Sequence, residues 1–268
     1  MNVLWIFAHP EGRSLNGALR DHGAATLRRH GHHVRHSDLY AMGWNPVVGP
    51  EDFGHDPAAR LIVGAESQRA HAAGALAPDI RAEQDKIAWA DALIVQFPLW
   101  WYGMPAILKG WFDRVFVQGF AFGVTDDRGR TLRYGDGGLA GRRALVVTTA
   151  GARATGLSPR GVHGAAEDVL FPLLHGTLFY TGMDVLPPLV VTGADRATPR
   201  RPRRAHRRPR RAPAHPAHRP AHPVPDRERR RLRRRPRPAP PLGPRPHRPA
   251  HPPPPHPRTA PHTSTGAA

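Results

Sequence analysis

Ala92-Leu93-Ile94-Val95-Gln96-Phe97 decides the fold. Five of its six side chains are apolar and they do not alternate with polar ones, so the run reads as a strand buried on both faces, the mark of a covered parallel sheet. Before it lies a helical pattern near Pro78–Ala88. After it, Pro105 opens a second helix over Ala106–Phe116, since a proline fits where the first helical N–H has no acceptor. The same alternation recurs along the chain. Asn2–Ala8 reads as a first strand. Residues 15–30 place Leu15, Ala18, Leu19, His22 and Ala25 on one helical face, and His33–Leu39 reads as a second strand. Ala144–Thr149 is a fourth strand, and Ala165–Tyr180 a helix that Pro172 should kink or restart. Val185–Val191 is a fifth strand, interrupted by Pro187 and Pro188. Residues 43–77 and 123–143 read as irregular loops.

Strand–helix alternation of this kind implies an α/β fold: a five-stranded parallel sheet with helices on both faces. The flavodoxin-like strand order 2-1-3-4-5 fits, with ligands bound outside the carboxyl ends of the strands. One element is missing from the pattern, because no helix follows the fifth strand.

Charge divides the chain at the same place. The protein has 268 residues and a net charge of +18, but residues 196–268 hold 21 Arg, 21 Pro, 8 His and only two acids, Asp226 and Glu228. Residues 1–195 are nearly neutral, with 18 Lys+Arg against 19 Asp+Glu. The expected organisation is therefore a globular domain over 1–195 and a disordered tail over 196–268, whose few apolar side chains cannot offset roughly 1–2 kcal/mol of backbone entropy per ordered residue. The absence of cysteine excludes disulfide staples and Cys-based metal sites. No apolar run reaches the roughly 18–20 residues of a membrane span. The start lacks a basic n-region and cleavage site, so the cytoplasm is the expected compartment.

Three strand ends carry chemistry. After the first strand, His9-Pro10-Glu11-Gly12-Arg13-Ser14-Leu15-Asn16 puts Ser14 at a helix N-cap, where free N–H groups and the helix dipole favour an anion. His9, Arg13 and Asn16 offer further donors; a capped helix start with no ligand is the alternative. After the third strand, Pro98-Leu99-Trp100-Trp101-Tyr102-Gly103 sets three aromatics on a loop, suited to stacking on a flat ligand or to a subunit interface. After the fourth, Thr148-Thr149-Ala150-Gly151 offers hydroxyls and close backbone approach to a heterocycle edge. An anion end and an aromatic end on one sheet edge suit a flavin nucleotide.

Three segments together resemble the NAD(P)H:quinone oxidoreductases, the DT-diaphorase-type branch of the flavodoxin-like proteins. They are His9 with Ser14-Leu15-Asn16, the long block Gln96-Phe97-Pro98-Leu99-Trp100-Trp101-Tyr102-Gly103 continuing through Phe116, and Gly161-Val162-His163-Gly164. The resemblance spans residues 2–195. It implies FAD, or alternatively FMN, as cofactor, NADH or NADPH as hydride donor, a quinone as acceptor, and a homodimer with sites between subunits. It places His9, Leu15 and Asn16 near the flavin phosphates and ribityl chain, Pro98, Leu99, Trp100 and Trp101 along the ring, and Thr148, Thr149 and Gly151 at its polar edge. Trp101, Tyr102 and His163 fall in the substrate pocket, and His163 takes the catalytic role of stabilising charge on the reduced flavin or quinone oxygen. Two departures stand out. Animal members carry a tyrosine where this chain has Leu157, and Ala150 occupies a position that is commonly glycine. Azo- or nitro-reducing flavoenzymes and an ancillary subunit of a potassium-efflux system are the rival readings. A flavodoxin-type electron carrier fits less well, because the chain has neither a Thr/Ser-rich phosphate loop nor a very acidic surface.

The tail contains no aromatic residue and no lysine, so specific nucleic-acid binding is not expected. Its Arg, Pro, His and Ala content is what GC-rich coding DNA gives out of frame. With suitable synonymous codons, His222–Arg233 read one base later encodes a run ending Asn-Gly-Gly-Asp-Tyr, a C-terminal feature of bacterial relatives. Leu242–Arg248 yields a second family-like peptide in the same frame. A frameshift near Asp195 is the expectation.

Overall fold

The computed structural model describes residues 1–196. A parallel sheet forms its centre, in the order β2-β1-β3-β4 with a fifth position beside β4. The strands are β1 (Asn2–Phe7), β2 (His33–Asp38), β3 (Ala92–Pro98) and β4 (Arg143–Ala150). The fifth position is split between β5 (Asp184–Val185) and β6 (Leu189–Thr192), both parallel to β4. Leu186-Pro187-Pro188 separates them, because neither proline can donate to the ladder. The expected flavodoxin-like order is the observed one.

Two cores flank the sheet. The larger packs Leu4, Ile6, Leu93, Val95, Phe97, Ala144 and Val146 against helices α3 (Pro78–Trp89), α4 (Ala106–Val115) and α5 (Ala166–Leu173), through Ile80, Ile87, Leu108, Trp111, Leu170 and Leu173. The smaller packs Val3, Trp5, Phe7, Ile94 and Val147 against α1 (Leu15–Arg29) through Ala24 and Leu27. Among the described residues no helix follows β6; Ala194–Arg196 form one 3-10 turn. On the α1 side, Leu189 is therefore 52% exposed beside Val147, and Leu145 is only half-buried.

The long helix expected over Ala165–Tyr180 ends at Leu173 and continues as a π-helical turn, Leu174–Phe179. Pro172 lacks the N–H that a regular helix requires there. Residues 43–77 are less irregular than their sequence suggests. They contain a helix, α2 (Val63–Ala72), which buries only Ser67 and Ala70 and so shows no apolar stripe. The tail expectation lies outside the described residues beyond Arg196, as does the frameshift reading.

Candidate active site

The carboxyl ends of β1, β3 and β4 open onto a cleft of about 470 Å³. At one end lies the start of α1. The Ser14 side chain accepts from Gly17 N at 3.1 Å, and no acidic residue occupies the first turn. Among the described residues the N–H groups of Leu15 and Asn16 meet no acceptor, so the helix presents two donors and its positive end to the cleft. Asn16 is engaged through side chain and backbone: its side-chain amide donates to Thr149 Oγ1 at 2.8 Å, and its backbone carbonyl accepts from buried Gln96 Nε2 at 2.8 Å. Gln96 in turn accepts from Trp5 Nε1 at 2.8 Å. These bonds fix the helix start to β3 and β4. Gln96 escapes a sequence reading focused on loops; its signal is the one polar residue in an apolar run.

Arg13 is paired with Glu11 at the surface, through Nε at 3.1 Å and Nη2 at 3.2 Å. Hydrogen bonds from Arg13 hold the Glu11 carboxyl down to about 2, so the pair is charged at neutral pH. His9 Nδ1 lies 3.0 Å from Glu11 N and 3.1 Å from Glu11 O, which holds the ring against the loop.

The other end is apolar, lined by Pro98, Leu99 and Trp100, with Trp100 6.4 Å from the His9 ring. Trp101 and Tyr102 turn away from it. Trp100 and Gly103 exchange both backbone bonds at 3.0 Å, and Trp101 and Tyr102 between them have φ values of 50° and 59°. Such a two-residue turn normally uses Asn-Gly, because β-carbons crowd the left-handed region. Trp101 is 99% exposed and Tyr102 55% exposed. The Tyr102 hydroxyl lies 2.7 Å from His163 Nδ1, which carries the turn across to the loop before α5.

On the β4 side, Thr149 and Gly151 line the cleft. Thr149 accepts from Asn16 and keeps its own hydroxyl proton, whereas Thr148 is fully buried and donates to Phe97 O at 2.9 Å. Ala150 ends β4 in extended backbone opposite Thr192, so its methyl meets no left-handed requirement. Ala194 and Asp195 complete the wall, which the sequence did not reveal. A side chain at Gly151 would overlap the Asp195 carboxylate, and the Gly151 carbonyl accepts from Arg196 Nη2 at 3.1 Å. The cleft thus unites His9, Ser14, Leu15, Asn16, Pro98, Leu99, Trp100, Thr149 and Gly151, while Trp101, Tyr102, Thr148 and His163 lie outside it. It offers two N–H donors at one end, an apolar wall at the other, and the Thr149 hydroxyl between them.

Comparison with known proteins identifies relatives of this chain. The flavodoxin-like fold family matches residues 1–211. A ribosyldihydronicotinamide dehydrogenase-like protein of Penicillium crustosum is 50% identical over 193 residues, covering 71% of this chain and 72% of the relative. NAD(P)H dehydrogenase [quinone] 1 of Rattus norvegicus is 38% identical over 199 residues, covering 74% and 70%. The chain belongs to the flavodoxin-like NAD(P)H:quinone oxidoreductase family. A crystal structure of a Klebsiella pneumoniae quinone reductase superposes with a TM-score of 0.71 at 49% identity, covering 74% of this chain and 78% of that one.

Proposed function

We propose that the protein is an FAD-dependent NAD(P)H:quinone oxidoreductase, with FMN the alternative cofactor and NADH or NADPH the donor. The observation that carries the reading is one cleft with an unshared helix N-terminus at one end and the Pro98-Leu99-Trp100 wall at the other. A bound flavin supplies the hydride relay between nicotinamide and quinone. The α1 N–H groups and dipole hold its phosphate, the apolar wall carries its ring, and the Thr149 hydroxyl orients the polar edge. His163 offers a proton at the acceptor oxygen. Trp101 supports a homodimer, because a wholly exposed indole leaves a large apolar area for a second copy to cover. No helix among the described residues is long and apolar enough to cross a membrane, and the proposed compartment is the cytoplasm.

Purified full-length protein should carry bound flavin, identified as FAD or FMN by chromatography after release. Its initial rates with NADH or NADPH and a short quinone panel should give parallel double-reciprocal lines. Light scattering should give twice the chain mass. Protein that binds neither flavin when supplied would overturn the reading.

The proposed boundary near residue 195 and the frameshifted tail are tested on the nucleotide sequence. A single-base shift near codon 195 should open a frame encoding the Asn-Gly-Gly-Asp-Tyr run. If none does, the tail is genuine coding sequence.

A further inference from the structure

We infer that Tyr102 is the positioning residue for His163, and that the strained Trp100–Gly103 turn exists to hold it there. The inference rests on the flavin-enzyme reading for its purpose, but its geometry stands apart from the cleft. Two consecutive aromatics occupy left-handed backbone at φ 50° and 59°. Such backbone is strained for residues with a β-carbon, and strain of this kind persists where surrounding structure requires it. The paired bonds between Trp100 and Gly103 close the turn without setting either side chain's direction. What the left-handed backbone achieves is to aim Tyr102 at the loop before α5, where its hydroxyl comes within 2.7 Å of His163 Nδ1 and the two rings lie 5.8 Å apart.

The contact determines which histidine nitrogen carries the proton. A phenol is a better donor than acceptor toward a neutral imidazole, so the Tyr102 O–H donates to Nδ1. That leaves the proton on Nε2 and presents an N–H, not a lone pair, to an acceptor oxygen. The arrangement suits acceptors that gain negative charge on oxygen, such as quinones. It also supplies a hydroxyl to His163 from the third-strand loop, although position 157, six residues before it, is a buried leucine.

The test begins with ¹⁵N-histidine labelling of the full chain, at a pH where imidazole is neutral, with the His163 signals assigned by their loss in His163→Gln. The expected result is the Nε2–H tautomer in the wild type and averaged signals from both tautomers in Tyr102→Phe. A wild-type Nδ1–H tautomer, or one unchanged in Tyr102→Phe, would overturn the inference. This reading needs neither flavin nor turnover, so its failure is separable from failure of the flavin reading. With flavin bound, Tyr102→Phe should lower kcat toward a quinone about tenfold, the scale of one lost hydrogen bond, with KM and flavin content retained. A loss in KM alone would assign Tyr102 to acceptor binding and would likewise sink the inference.

Discussion

Arg114→Ala should lower unfolding stability by about 4 kcal/mol, because it leaves a buried carboxylate without its counter-charge. Arg114 lies in the last turn of α4 and is only 3% exposed. Its Nη2 donates to Asp52 Oδ1 at 2.6 Å, and its Nε lies 3.1 Å from both Asp52 oxygens. Nη1 reaches Asp79 Oδ2 at 2.7 Å and Asn45 O at 3.0 Å, and the guanidinium stacks 4.7 Å over Trp44. Asp52 has no exposed surface and, among the described residues, otherwise accepts only from Gly49 N, at 3.2 Å. The group therefore joins α4, the start of α3 and the 43–54 segment at one point. At roughly 2–4 °C per kcal/mol for a domain of this size, the midpoint of thermal unfolding falls by about 10 °C. Urea unfolding measures the difference directly. The contrast is Lys109→Ala, which removes an exposed pair with Asp113 and should change stability by less than about 1 kcal/mol. Replacing both partners, Arg114→Met with Asp52→Leu, should recover much of the loss, since no buried charge then remains. An Arg114→Ala loss no larger than that of Lys109→Ala would refute the account.

That network was invisible in the sequence for a physical reason. Asp52, Asp79 and Arg114 lie far apart along the chain, and nothing local distinguishes them from solvated charges. The sheet was legible because burial on both faces demands unbroken apolar runs, as in β1 and β3. The α2 helix was not, because Ala70 and Ser67 bury too little apolar area to leave a stripe. Pro187 and Pro188 announced a break in the fifth strand, and the structure places it between two short ladders on β4.

The candidate site divides along the same line. A helix start after a strand is a local feature, so Ser14 and its capping role were readable from the sequence. The direction of Trp101 and Tyr102 was not, because it depends on the sign of φ at two residues that normally avoid positive values. Thr148 and Thr149 are neighbours of one chemical type, yet strand pleating buries the first and turns the second to the cleft. Asp195 marked a change in composition; its place in the cleft wall follows only from the path of the chain after β6.

Gly17→Ala should abolish flavin retention while leaving the domain folded. In most helices such a change stabilises, by up to about 1 kcal/mol, because alanine loses less backbone entropy than glycine. Here the added methyl would overlap the carbonyl of Gly12, whose loop crosses directly above. Backbone cannot swing aside as a side chain can, so the loop must lift, at a cost of roughly 1–3 kcal/mol that outweighs the propensity gain. The lifted loop carries Ser14 away from Gly17 N and spoils the helix end that the Leu15 and Asn16 N–H groups present. Two hydrogen bonds to a charged group are worth roughly 3–6 kcal/mol together, which corresponds to a fall in flavin affinity of at least about a hundredfold. Gly12→Ala is the matching control in the same loop, since a Cβ there meets nothing within 4 Å and the residue does not occupy left-handed backbone. Fluorescence titration of both variants with FAD and with FMN measures the effect, and circular dichroism confirms the fold. If Gly17→Ala binds flavin as Gly12→Ala does, the phosphate does not sit at the α1 N-terminus and the orientation of the ligand in the cleft must be reversed.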